Sequence, residues 1–219
     1  MIKIQNYSKK FKNKVVFQNV DLDIQHKGFY YIMGKNGAGK TTFLNSVLGF
    51  ETFQGIIQVH TKKRGAVFSE NQLYENLTVE TNMQLFLGSP LSEGQKEFLE
   101  AYIDNRLYNV QVKKLSLGER KMVTLLLTLL QEPEILVLDE ITTSLDRDNS
   151  MKIKSLIQLY KEKIVILACG HELSFYKDVY DWALLISDCT LSFIEYDQDL
   201  EDIYERYLST NENTTKLPI

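Results

Sequence analysis

Eight consecutive residues, Gly34-Lys35-Asn36-Gly37-Ala38-Gly39-Lys40-Thr41, spell G-x-x-x-x-G-K-[ST]. The glycines let the backbone curl until its N–H groups point inward, a concavity that suits phosphate. Lys40 adds positive charge against β- and γ-phosphates, and Thr41 offers a hydroxyl to Mg²⁺. The helix that follows presents its N-terminus to the anion. Such a loop works only between a buried strand and a helix, and both flanks fit. Phe29-Tyr30-Tyr31-Ile32-Met33 is a continuous apolar run, read as a strand buried on both faces. From Lys40 onward, Phe43, Leu44, Val47 and Leu48 fall on one helical face, which Gly49 ends.

Three more apolar runs, 65–68, 135–138 and 164–167, read as buried parallel strands. Helical patterns lie between them. Residues 122–130 are apolar nearly all round, and Ile153, Leu156, Ile157 and Tyr160 form one stripe. Strands alternating with helices predict a parallel α/β sheet. Val20-Asp21-Leu22-Asp23-Ile24 alternates apolar with acidic, and Ile2 and Ile4 start a weaker version; both predict an N-terminal antiparallel sheet. Residues 78–114 break the alternation with two helical patterns, one opened by a capping box at Ser92-Glu93-Gly94-Gln95, and read as an inserted helical lobe. Residues 183–196 suggest a hairpin turning near Ser187-Asp188. Leu200, Ile203, Tyr204 and Tyr207 suggest a short final helix. A length of 219 residues fits one domain over 1–208, followed by a polar tail, 209–219.

Charge narrows the partners. With 25 Lys+Arg against 29 Asp+Glu the net charge is −4, which argues against a dedicated duplex-DNA binder, and no nucleic acid is expected. Lys3, Lys9, Lys10, Lys12 and Lys14 cluster, and a solvated basic edge is the expectation there. No run approaches the roughly 20 apolar residues of a membrane span, and the N-terminus lacks the order of a signal peptide. Cys169 and Cys189 have no metal-ligand spacing and predict packed thiols in a reducing compartment. His26 and His60 are expected at the surface.

Ile135-Leu136-Val137-Leu138-Asp139-Glu140 is an apolar strand ending in two acids. Adjacent acids at the carboxyl end of a buried strand sit where α/β folds bind ligands. Asp139 would hold Mg²⁺, and Glu140 could polarise the water that attacks a γ-phosphate. Upstream, Lys114-Leu115-Ser116-Leu117-Gly118-Glu119-Arg120 precedes a long apolar helix and then Pro133. From Leu115 to Glu140 the run resembles the signature-to-Walker-B segment of ATP-binding cassette (ABC) ATPases, whose usual signature is LSGGQ. Ser116 and Gly118 match; Leu117 and Glu119 depart.

The resemblance implies the rest. The fold would be an α/β P-loop NTPase with a RecA-like core, an N-terminal antiparallel β subdomain and a short helical lobe. Ser144-Leu145-Asp146 resembles the D-loop, and His171 the switch histidine that senses γ-phosphate. Phe11 matches the aromatic that stacks on adenine, and Thr42 joins the nucleotide-binding set. The family's Gln after the third core strand falls on Ser69, aligned by the Leu73-Tyr74-Glu75-Asn76-Leu77-Thr78-Val79 run, and Gln72 lies close enough to substitute. Ile141 replaces the usual Pro after the catalytic Glu. In the family, ATP with Mg²⁺ is bound head to tail between two cassettes, so Ser116 and Gly118 would serve the nucleotide of a second copy or a related ATPase subunit. The resemblance therefore implies a cytoplasmic ATPase, peripheral on the membrane through a separate transmembrane permease subunit, with the compact length and LSLG variant resembling exporters. A soluble ABC protein acting on DNA repair or the ribosome, and an ATP-binding regulatory switch with little turnover, are the alternatives.

Overall fold

A computed structural model describes residues 1–194 and 200–205. Two long strands open the chain, β1 (Ile2–Phe11) and β2 (Lys14–Ile24), paired antiparallel. Then come β3 (Gly28–Gly34), α1 (Lys40–Leu48) and β4 (Gln54–Val59), which pairs with the other edge of β1. The antiparallel sheet thus has the order β2-β1-β4. β4 has no counterpart among the expected strands. Its pattern, Gln-Gly-Ile-Ile-Gln-Val, does not alternate cleanly, and Ile56 is exposed.

After β5 (Arg64–Val67), residues 78–114 carry α2 (Val79–Leu87), α3 (Glu93–Glu100) and two short 3₁₀ turns, with a single bridge from Thr78 to Gln111. The Ser92–Gln95 capping box is present at the start of α3. The remaining elements are α4 (Leu117–Leu130), β6 (Ile135–Asp139), α5 (Arg147–Tyr160), β7 (Val165–Cys169), α6 (Leu173–Lys177), β8 (Trp182–Ser187), β9 (Thr190–Phe193) and α7 (Leu200–Ile203). The second sheet runs β5-β6-β7-β3-β8-β9, all parallel except β9. β8 and β9 form the expected hairpin, turning at Asp188 and Cys189, both with positive φ. β8 also extends the parallel sheet beside β3. Residue 196, Tyr207 and the tail 209–219 lie outside the described residues.

Period-two alternation sends the strand residues of this sheet to two separate cores. Tyr30, Ile32, Val137, Leu167 and Leu184 join Phe43, Leu44 and Val47 of α1 and the inner face of the antiparallel sheet. Tyr31, Leu136, Ile166 and Leu185 join Met122 and Leu125 of α4, Ile153 of α5 and Tyr176 of α6. The parallel sheet is therefore a middle layer. α1 lies between the two sheets, and α4, α5 and α6 cover the opposite face.

Candidate functional site

The phosphate loop leaves β3 at Gly34 and enters α1 at Lys40. Gly39 holds the N-cap with φ 112°, and a Cβ there would lie 2.4 Å from Cγ1 of Val16, so only glycine fits. Lys40 Nζ donates to the carbonyls of Gly34 (2.7 Å) and Lys35 (3.3 Å), folded back over the loop it is expected to serve. Lys35, Asn36 and Gly37 are exposed, with Ala38 partly so; Thr41 is exposed and Thr42 half-buried on the first turn of α1. Phe11 pairs across the β1–β2 turn with Lys14, and Lys14 Nζ donates to the Gly37 carbonyl at 3.1 Å. That hairpin tip therefore reaches the phosphate loop. The Phe11 ring is 45 % exposed, with the Lys9 ammonium 4.5 Å from its centroid.

The acidic end of β6 and the end of β7 lie next to β3. Asp139 and Ile32 both register with Cys169, so three neighbouring carboxyl ends carry the phosphate loop, the acid pair and His171. Asp139 is 4 % exposed, and Oδ1 accepts from the Cys169 thiol at 2.9 Å. Burial, first, and the Asp139 carboxylate push that thiol well above its ordinary range, while Lys40 acts on it in the opposite sense. Cys169 is thus a neutral donor to the carboxylate, not a nucleophile. Glu140 sits in the left-handed region with φ 57°. Its Oε1 lies 3.0 Å from Nε2 of His171, and its Oε2 accepts from the Thr143 hydroxyl at 3.3 Å. His26 and His60 are at the surface. Among the described residues no three His, Cys, Asp or Glu side chains form a metal cage.

Ser116 is exposed at the N-cap of α4, and Gly118 is buried two residues on. The Ser116 hydroxyl accepts from the Glu119 N–H at 3.2 Å, and Glu119 Oε2 accepts from the Ser116 N–H at 2.8 Å. This capping box accepts Glu as readily as Gln, which accounts physically for the Glu119 departure. Leu117 stands 58 % exposed. Asp146 caps α5 by accepting from the Asn149 N–H at 2.8 Å, and Ser144 has φ 64°.

Gln72 is fully engaged within its own loop. Its Oε1 accepts from the Phe68 N–H at 2.8 Å, and its Nε2 donates to the Ala66 carbonyl at 3.1 Å. The amide thus closes the 66–72 loop, and Ser69 lies exposed beyond it. Gln72→Ala would leave the Phe68 N–H unpartnered and should cost about 1–2 kcal/mol of stability. Ser69→Gln should leave stability unchanged and keep or raise ATPase activity. Thermal unfolding and steady-state turnover check both; a collapse of turnover in a fully stable Gln72→Ala variant would assign the catalytic role to Gln72.

One lysine departs from the expected solvated edge. Lys9 is buried, with Nζ donating to Glu51 (2.7 Å) and the Thr52 carbonyl (2.6 Å), whereas Lys14 is exposed and reaches the phosphate loop as above. A cation on a buried strand position persists only when paired. Lys121 on α4 escaped the sequence reading altogether. Buried to 9 % exposure, its ammonium donates to the carbonyls of Glu140 (2.7 Å), Ile141 (3.3 Å) and Thr143 (2.8 Å). It holds the loop after Glu140, where Ile141 replaces the expected Pro. Burial holds its pKa below the usual lysine range. A lysine that follows Arg120 just where the helix turns apolar is the signal that points to it.

A glycine-rich loop between a buried strand and a helix, with acids and a histidine at the same edge of a parallel sheet, defines a P-loop nucleotide-binding protein. Comparison refines that class. The family model described as ABC transporter matches residues 17–143, and the chain belongs to that family, as one of its ATP-binding, ATP-hydrolysing subunits. It is 28 % identical to the lantibiotic transport ATP-binding protein SrtF of Streptococcus pyogenes, over 95 % of this chain and 97 % of that one. It is 33 % identical to the zinc import ATP-binding protein ZnuC of Rickettsia bellii, over 79 % and 77 % of the two chains. Its fold matches the dimeric post-hydrolysis structure of the ATP-binding cassette MJ0796 bound to ADP and Pi, with TM-score 0.76 and 22 % identity over 89 % of this chain and 99 % of that one.

Proposed function

We propose that the chain powers a membrane transporter by closing around ATP with a second cassette. The triphosphate lies in the 34–41 loop, with Lys40 on its charge and adenine on the open face of Phe11. Thr41 and the buried Asp139 carboxylate would hold Mg²⁺, which neutralises phosphate charge when bound. Glu140 is the base for the attacking water, and His171, 3.0 Å from it, senses the γ-phosphate. The observation that carries this reading is the convergence of these groups on the adjacent ends of β3, β7 and β6. The second observation is the separation of α1 from α4 by the sheet. Having α1 on one face and α4 on the other supports a signature that serves the nucleotide of another cassette, either a copy or a relative. Closing the site from outside also excludes water where charge develops.

The transmembrane partner is inferred from an apolar surface. The 68–74 segment is bracketed by exposed aromatic contacts, Phe50 with Phe68 at 6.5 Å and Tyr74 with Phe86 at 5.9 Å. Phe50 and Tyr74 are more than half exposed, which favours a partner covering them. Among the described residues no helix is long and apolar enough to cross a membrane. In this reading a separate permease supplies the path and brings the chain to the membrane's inner face. The export reading rests on the compact length and the LSLG variant, which resemble exporters; the relatives include both a lantibiotic transport protein and a zinc import protein. The tagged chain, purified from detergent-solubilised membranes, is expected to bring down a multi-span protein and to hydrolyse ATP in that complex. Recovery with ribosomal subunits would overturn the transport reading, and ATP binding without turnover in the membrane complex would make the chain a switch.

A further inference from the structure

The segment that carries His171 is held by two buried tyrosines from different elements. Tyr31 on β3 donates its hydroxyl to the Gly170 carbonyl at 2.8 Å. Tyr176 on α6 donates to the Cys169 carbonyl at 3.1 Å and shares a hydrogen bond with the Thr142 side chain. Their rings stack at 4.3 Å and 12°, with exposures of 2 % and 0 %. Both carbonyls immediately before His171 are thus fixed by phenols. The Cys169 carbonyl accepts a second bond, from the Glu140 N–H at 2.9 Å. One oxygen therefore ties the end of β7 to the backbone of Glu140, at the residue whose φ is 57°.

The surroundings are built for this contact. A Cβ at Gly170 would lie 2.2 Å from the Tyr176 hydroxyl, so any side chain there would displace the phenol. Thr142, two residues past Glu140, is itself 2 % exposed. Burial pushes both tyrosines above their ordinary range, so they remain protonated donors across the working pH. Aromatic rings in a stack fix the hydroxyls more tightly than a flexible side chain could.

We propose that Tyr31 and Tyr176 are positioning residues for hydrolysis, setting His171 and Glu140 in one geometry through the Cys169 and Gly170 carbonyls. Neither touches nucleotide. The proposal rests on the roles assigned above to His171 and Glu140. Displacing a catalytic group by about 1 Å can cost on the order of 100-fold in rate. Each phenol holds only part of the segment, so removing one oxygen should cost less than that.

The test is a double-mutant cycle on the intact chain with Mg-ATP. Tyr176→Phe keeps the ring stack and removes the hydroxyl. It is expected to lower kcat roughly 10-fold while KM for ATP stays within about 2-fold, since the phosphate loop is untouched. His171→Ala should lower kcat further, and Tyr176→Phe added to it should cost less than it does alone, because only the Glu140 backbone is then left for the phenol to position. Tyr31→Phe, which spares the Cys169 bond, should show the same kcat-only loss and covers the case in which Tyr176→Phe does not fold. Wild-type kcat in both Phe variants, with His171→Ala and Glu140→Gln inactive, overturns the positioning role and leaves the functional reading standing. Losses that multiply fully with His171→Ala also overturn it. Wild-type turnover in His171→Ala and Glu140→Gln would instead sink the functional reading itself.

Discussion

Glu140→Gln is expected to bind ATP normally, to stop hydrolysing it and to accumulate as an ATP-bound dimer. The amide is nearly isosteric with the carboxylate. It can keep the contacts to His171 and Thr143, and the left-handed backbone at 140 is held by the Cys169 carbonyl and Lys121, not by the side chain. What is lost is the proton acceptor for the attacking water, an effect typically worth 10²–10⁴-fold. Removing the carboxylate also removes negative charge facing the γ-phosphate, so closure persists once formed. Size-exclusion chromatography with light scattering, at millimolar Mg-ATP and high protein concentration, should show a dimer with ATP and a monomer with ADP. Turnover at the wild-type rate would falsify Glu140 as the base. A variant that stays monomeric with ATP bound would argue against the head-to-tail sandwich for the isolated subunit.

Lys40→Ala should abolish tight Mg-ATP binding while the fold survives. Alanine is the best helix former, so the first turn of α1 is not at risk. The loop loses its full positive charge against several phosphate negatives. It also loses the ammonium that holds the Gly34 and Lys35 carbonyls at 2.7 and 3.3 Å. Charge-assisted hydrogen bonds of this kind are worth about 1.5–3 kcal/mol each, so affinity should fall at least ~10- to 100-fold. Titration with a fluorescent nucleotide measures this, with circular dichroism as the control for folding. Unchanged affinity would sink the phosphate-loop assignment.

Several features were legible because their geometry is local. The phosphate loop closes within eight residues, and its flanking strand and helix announce themselves by composition and period. The Ser92 capping box depends on residues three apart. The signature segment was read by resemblance, and the Glu119 departure is explained by the local cap at Ser116. β4 escaped because an exposed edge strand with a mixed pattern has no period to detect.

The order of the strands is what no period reveals. β3, the first core strand in the chain, lies between β7 and β8. That placement brings Tyr31 to the Gly170 carbonyl, 139 positions away, and the β6–β7 pairing brings Asp139 to Cys169, 30 positions away. The sequence by itself determined a P-loop α/β chain with an acid pair, a signature serine and a candidate switch histidine. Only the tertiary structure decided that Gln72 is spent on its own loop, that Lys121 holds the segment after Glu140, and that α1 and α4 pack on opposite faces of the sheet. The physical reason is that a buried donor takes whichever carbonyl the packing brings within about 3 Å. Which carbonyl that is depends on strand order and layer, not on any neighbour along the chain.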